Sequence, residues 1–140
     1  MWKYGVCLLA LAALLLPLSG CSSGPSLVEA ALGQEFSLAM GQQASMTGES
    51  LGIRFEAVVG DSRCPQDVNC IWAGEVTCTV LVTRGNSSHL MELTERGLSS
   101  GYATERYQEY DLSFHVEPYP KAGQEIPANE YRLKLIVGKG

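Results

Sequence analysis

Basic residues are scarce in this 140-residue chain. Ten Lys and Arg stand against fifteen Asp and Glu, for a formal net charge of −5. Phosphate binding needs clustered Lys and Arg, so this balance argues against a nucleic-acid partner. Long apolar runs are also missing. The longest, Val6 to Leu18, has 13 residues, short of the roughly 20 that a helix needs to span a bilayer core. The five cysteines form no C-x-x-C pair, which removes the usual dithiol redox motif. No block repeats along the chain. A 46% hydrophobic content is enough for a core and excludes wholesale disorder, and the length suits one domain.

The N-terminus reads as an address. Lys3 precedes the apolar run, which has the length of the central region of a secretory signal. Leu18-Ser19-Gly20-Cys21 follows. It resembles the bacterial lipobox, a Leu, two small residues and a Cys. The resemblance implies a signal peptide over 1–20, cleavage before Cys21, and lipidation of the Cys21 thiol with acylation of the new amino group. Two or three acyl chains anchor firmly where one does not. Residue 22 is Ser, not Asp; in a host with two membranes the lipoprotein sorting pattern then implies the outer one. Ser22 to Ser26 reads as a flexible tether, with lipidated Cys and tether covering 21–34 and a β-domain covering 35–140. Loss of Lys3 with the signal leaves nine basic and fifteen acidic residues, a formal net charge of −6. Leu27 to Leu32 has the length of one helical turn.

Beyond the tether, apolar residues recur at period 2. Phe36, Leu38 and Met40 alternate with Ser37 and Ala39. Ile53, Phe55 and Ala57 alternate with Arg54 and Glu56, and Val76, Cys78, Val80 and Val82 with Thr77, Thr79, Leu81 and Thr83. Further alternating runs cover Leu90–Glu95, Tyr110–Val116 and Tyr131–Val137. Each predicts a strand with one face inward. Gly85-Asn86 between two such runs predicts a hairpin, and residues 96–109, polar and Gly-rich, read as a long loop. The expected fold is all-β: an antiparallel β-sandwich, immunoglobulin-like in outline, or a small barrel, of about seven strands.

The most distinctive stretch is Asp61-Ser62-Arg63-Cys64-Pro65-Gln66-Asp67-Val68-Asn69-Cys70-Ile71-Trp72-Ala73-Gly74. Export permits oxidation. Cys7 leaves with the signal and Cys21 takes lipid, so Cys64, Cys70 and Cys78 remain for one intramolecular bridge. Cys64–Cys70 is the natural pair within one Pro-containing loop, with Cys78 a small buried apolar residue in its strand. Trp72 is expected to cap the bridge, and Gly74 to allow close backbone approach. Arg63, beside Asp61 and Asp67, is either an ion-pair brace or a ligand-binding arginine. The stretch resembles one in small exported bacterial proteins and lipoproteins, D-S-R-C-P-x-x-V-x-C-x-W-A-G, a group without an established activity.

Several constellations compete with a binding role. Cys64, Cys70, Cys78, His89 and His115 include metal-ligand types, but x₅ and x₇ spacings do not suit zinc, so no metal or other cofactor is expected. Gly48-Glu49-Ser50-Leu51-Gly52 matches the G-x-S-x-G elbow of hydrolases, with Asp111 and His115 downstream; a turn between strands is the alternative. Glu105, Glu109 and Asp111 are candidate paired carboxylates or a solvated loop. Tyr102, Tyr107 and Tyr119 fall outside the clear strands, and a Tyr-rich loop surface suits recognition. The reading that follows is a lipid-anchored cell-envelope domain that binds or supports and does not catalyse. Its partners are the membrane, through lipid, and an envelope protein or small ligand. An inhibitor of an envelope hydrolase or protease, and an envelope enzyme or metal carrier, are the alternatives.

Overall fold

The computed structural model of the chain describes residues 26–140. The signal peptide read over 1–20 and the lipidation read at Cys21 lie outside the described residues. The strands are β1 (Leu27–Ala30), β2 (Glu35–Ala39), β3 (Gln43–Met46), β4 (Leu51–Asp61), β5 (Glu75–Arg84), β6 (Ser87–Arg96), β7 (Ala103–Tyr107), β8 (Tyr110–Glu117) and β9 (Arg132–Lys139). One sheet has the order β1-β3-β4-β5-β6 and the other β2-β9-β8-β7. All pairings are antiparallel except that of β1 with β3. The fold is an all-β sandwich. Neither sheet closes on itself, so the barrel alternative does not apply.

The alternating pattern dictates the core. Leu51, Ile53 and Phe55 from β4 and Val76, Cys78, Val80 and Val82 from β5 are buried against Leu112, Phe114 and Val116 from β8 and Leu133, Leu135 and Val137 from β9. Each such strand turns one face inward because successive side chains alternate sides. The expected hairpin is present: β5 and β6 pair from Glu75↔Arg96 to Arg84↔Ser87, leaving Gly85-Asn86 as a two-residue turn.

Three short strands, β1, β3 and β7, join the six alternating runs and bring the number to nine, above the expected seven. β1 replaces the helical turn expected at Leu27–Leu32. Its backbone pairs with β3, Leu27 opposite Gln43 and Ala30 opposite Met46, and Ala30 is buried in the core. The domain therefore begins at β1, inside the span assigned to the tether. β7 occupies the second half of the expected 96–109 loop. Its five residues pair with β8, and only Ala103 and Tyr107 are half-buried, so an edge strand with polar sides carries no alternation to read. Gln108, at φ 52°, helps to close the β7–β8 turn.

Candidate functional site

Three connections gather at one end of the sandwich: residues 62–74, 97–102 and 118–131. The 62–74 loop is tied at both ends and closed by a disulfide. Cys64 and Cys70 form a disulfide with Cα atoms 5.9 Å apart. In the chain-entropy view, closing seven residues stabilises by about 2.4 kcal/mol. The Cys64 N–H donates to the Ala73 carbonyl at 2.8 Å, and the Ser62 N–H to the Glu75 carbonyl at 2.8 Å. Gly74 sits at φ +68°, where a Cβ would lie 1.8 Å from the Ser62 carbonyl oxygen. The close approach expected of Gly74 is thus required, because no other side chain fits.

Arg63 is a brace, not a ligand site. It is 4% exposed. Its Nε donates to Asp61 Oδ1 at 2.9 Å and its Nη2 to Asp61 Oδ2 at 2.7 Å. Nη1 donates to the Val116 carbonyl at 2.7 Å, and Nη2 also to the Pro118 carbonyl at 2.9 Å. The Tyr119 ring covers the guanidinium at 4.9 Å, and the Tyr131 hydroxyl donates to Asp61 Oδ2 at 2.9 Å. Burial pushes the Asp61 carboxyl up, but the bonds and charge of Arg63, with the bond from Tyr131, outweigh it and hold the group below the usual range. Asp67 takes no part in this brace. It accepts instead from the Ala122 N–H at 3.0 Å.

The reason for a buried guanidinium lies in β8. Pairing with β7 stops at Ala103↔Phe114, while β8 runs on to Glu117. The outward N–H and C=O of Val116 and the C=O of Pro118 lose a strand partner there, and unpaired buried backbone groups are costly. Arg63 supplies the donors. Glu95, 2% exposed, supplies the acceptor, its Oε2 taking the Val116 N–H at 2.8 Å. Glu95 Oε1 meets His115 Nδ1 at 2.5 Å. Sequence reasoning passed over Glu95, although it shares the inward parity of Met91 and Leu93 on β6.

The triad candidates do not meet. Ser50 lies in the β3–β4 turn, where its carbonyl accepts from the Gly85 N–H. Asp111 and His115 are four residues apart on β8, about 13 Å along a strand, and Asp111 faces Arg106 at 3.7 Å. Nor do Glu105, Glu109 and Asp111 form a carboxylate pair, since Glu109 is bonded to Arg84, whose guanidinium holds its pKa down at about 2. The tyrosines also separate. Tyr119 accepts the Leu98 N–H through its hydroxyl at 2.8 Å. Tyr102 bonds Glu35 at 2.5 Å and tilts over His115 with centroids 6.0 Å apart. Tyr107 is at the far end of β7, stacked on His89 at 6.1 Å. A single Tyr surface is therefore not built. Tyr119 and His115 do share an open cleft of about 700 Å³ with Gln66, Leu98, Ser99 and Glu117.

Cys78 is free and buried as expected; burial, with the Glu95 charge added, pushes its thiol up to about 12. Trp72 differs from expectation. It does not cap the bridge: it is 81% exposed, and Ile71 is 92% exposed. Among the described residues, no cluster of His, Cys, Asp and Glu could hold a metal ion. Compared with family models, curated proteins and solved structures, the chain has no significant match.

Proposed function

We propose that this protein is a lipid-anchored module of the cell envelope, held in the outer membrane where the host has two, that binds through the loop end of its sandwich and does not catalyse. The lipobox resemblance at 18–21 supports the anchor, and a disulfide in the mature part is compatible with export. The observation that carries the binding reading is the exposure of Ile71 and Trp72 on a loop tied at both ends. Large apolar side chains left in water on a rigid support are characteristic of interaction sites. The titratable groups that chemistry would need are already engaged: Arg63 with Asp61 and Val116, and Glu95 with His115 and Val116. The same stiff loop favours, as a second reading, an inhibitor that places Trp72 in an enzyme cleft.

The test has two arms. Cys21→Ala releases the protein from membranes and abolishes acyl labelling; unchanged membrane retention overturns the anchor. Pure protein hydrolyses no ester, peptide or peptidoglycan. Hydrolysis that disappears in His115→Ala overturns the non-catalytic reading.

A further inference from the structure

The sandwich is polarised along its strands. The loop end holds Val59, Val68, Ile71, Trp72 and Leu98, all exposed; Leu27 and Leu90 are exposed as well, level with one another across the five-stranded sheet and away from the loop end. At the opposite end, the 47–50 and 108–109 turns and the strand termini beside them carry Glu49, Arg84, Glu109 and Lys139, paired with one another, and among the described residues no large apolar side chain is exposed there.

The direction of β1 shows which end faces the chain ahead of it. Leu27 stands opposite Gln43, and Gln43 opposite Arg54. β1 then runs toward Ala30, parallel to β3 and against β4, which climbs from Arg54 to Asp61 at the loop end. Backward from Leu27 therefore points to the loop end. Ser26, one residue nearer that end, lies beside the β2–β3 turn, where Gln42 Nε2 donates to its hydroxyl at 2.9 Å. Seven residues of β4 separate the level of Leu27 from Asp61, at most about 23 Å, and the six residues from Cys21 to Leu27 reach about 20–22 Å, so Cys21 comes near the level of the loop end only with that segment close to full extension.

We infer that the apolar loop end, led by Trp72 and Ile71, lies in the interfacial layer of the bilayer that holds the N-terminal lipid. This deepens the anchored-module reading and rests on it. Trp is suited to that layer, with an apolar ring and one N–H donor that stays wet. A shallow protein contact adds to the lipid anchor, which strengthens with every further apolar group it brings. The net negative charge of the mature chain disfavours anionic lipid, so the contact is with zwitterionic headgroups. Arg96, exposed beside Trp72 in a shallow groove, is placed to meet their phosphates.

The chain from Cys21 onward contains one tryptophan, Trp72, because Trp2 precedes it. Its fluorescence therefore reports this site alone. The mature chain is coupled through Cys21 to a maleimide lipid in phosphatidylcholine vesicles, which makes the contact test independent of natural acylation. Trp72 emission shifts to shorter wavelength, phosphatidylcholine brominated near the headgroup quenches it, and acrylamide loses access. Ile71→Ser reduces the lipid quenching while leaving the unfolding midpoint unchanged. Emission and acrylamide access equal to those of the unanchored protein overturn the inference, and the loop then belongs to a protein partner. Acyl mass on Cys21 from cells decides the anchor separately: an acylated chain with a solvated Trp72 refutes only the contact.

Discussion

Removal of the Arg63 guanidinium tests why the two sheets stay joined at the loop end. The Arg63 side chain is 1% exposed and that of Asp61 10%. Arg63→Met keeps much of the stem volume but deletes four hydrogen bonds at 2.7–2.9 Å. It strands the Asp61 carboxylate with Tyr131 as its one remaining side-chain donor, and leaves the Val116 and Pro118 carbonyls unpaired. Removing one partner of a buried ion pair costs about 3–5 kcal/mol. A domain of this size has a total stability of about 6–17 kcal/mol, so the loss is a large share of it. With a urea slope of about 1.5 kcal/mol per M, the midpoint falls by roughly 2–3 M. Arg63→Lys recovers only part, because an ammonium cannot bridge a carboxylate and two carbonyls with one planar fork. Arg63→Met with Asp61→Asn is more stable than Arg63→Met alone, since no uncompensated charge remains. Urea unfolding followed by circular dichroism reads all three. A loss below about 1 kcal/mol in Arg63→Met refutes the edge-capping account.

Further expectations follow from the same end of the molecule. Gly74→Ala drives a Cβ into the Ser62 carbonyl at a positive φ, and lowers stability by at least about 2 kcal/mol; thermal unfolding checks it. Replacing both Cys64 and Cys70 by Ser lowers stability by about 2.4 kcal/mol with the fold retained, as calorimetry would record. In the native, oxidised protein, Cys78 resists alkylation at neutral pH and reacts only after unfolding, because burial holds its thiol near 12; rapid native labelling contradicts its core placement. Because the Asp61 carboxyl is held below its usual value, its contribution is complete above the unfolded value and is lost as pH falls through the lower folded one. Stability measured from pH 5 downward therefore drops in the wild type, with a shallower slope in Arg63→Met.

The sequence by itself determined what is local. Alternation in Phe36–Met40, Ile53–Ala57, Val76–Thr83, Leu90–Glu95, Tyr110–Val116 and Tyr131–Val137 located the long strands and their inward faces, because the side a residue faces depends only on parity within its own strand. Two cysteines in one seven-residue loop identified the bridge, and the parity of Cys78 with Val76 and Val80 predicted its burial. Tertiary structure decided what depends on a distant neighbour. β1 and β7 exist because a partner strand pairs with them, and their own residues carry too few apolar positions to announce it. Two carboxylates were visible beside Arg63, of which only Asp61 pairs with it, and its carbonyl partners are 53 and 55 residues away and matter only because β8 outruns β7. Glu95 is buried for the same reason, against the general rule that carboxylates stay in water. The exposure of Trp72 was equally non-local. An aromatic ring in a loop is covered or bare according to what the other loops place over it, and here they place nothing.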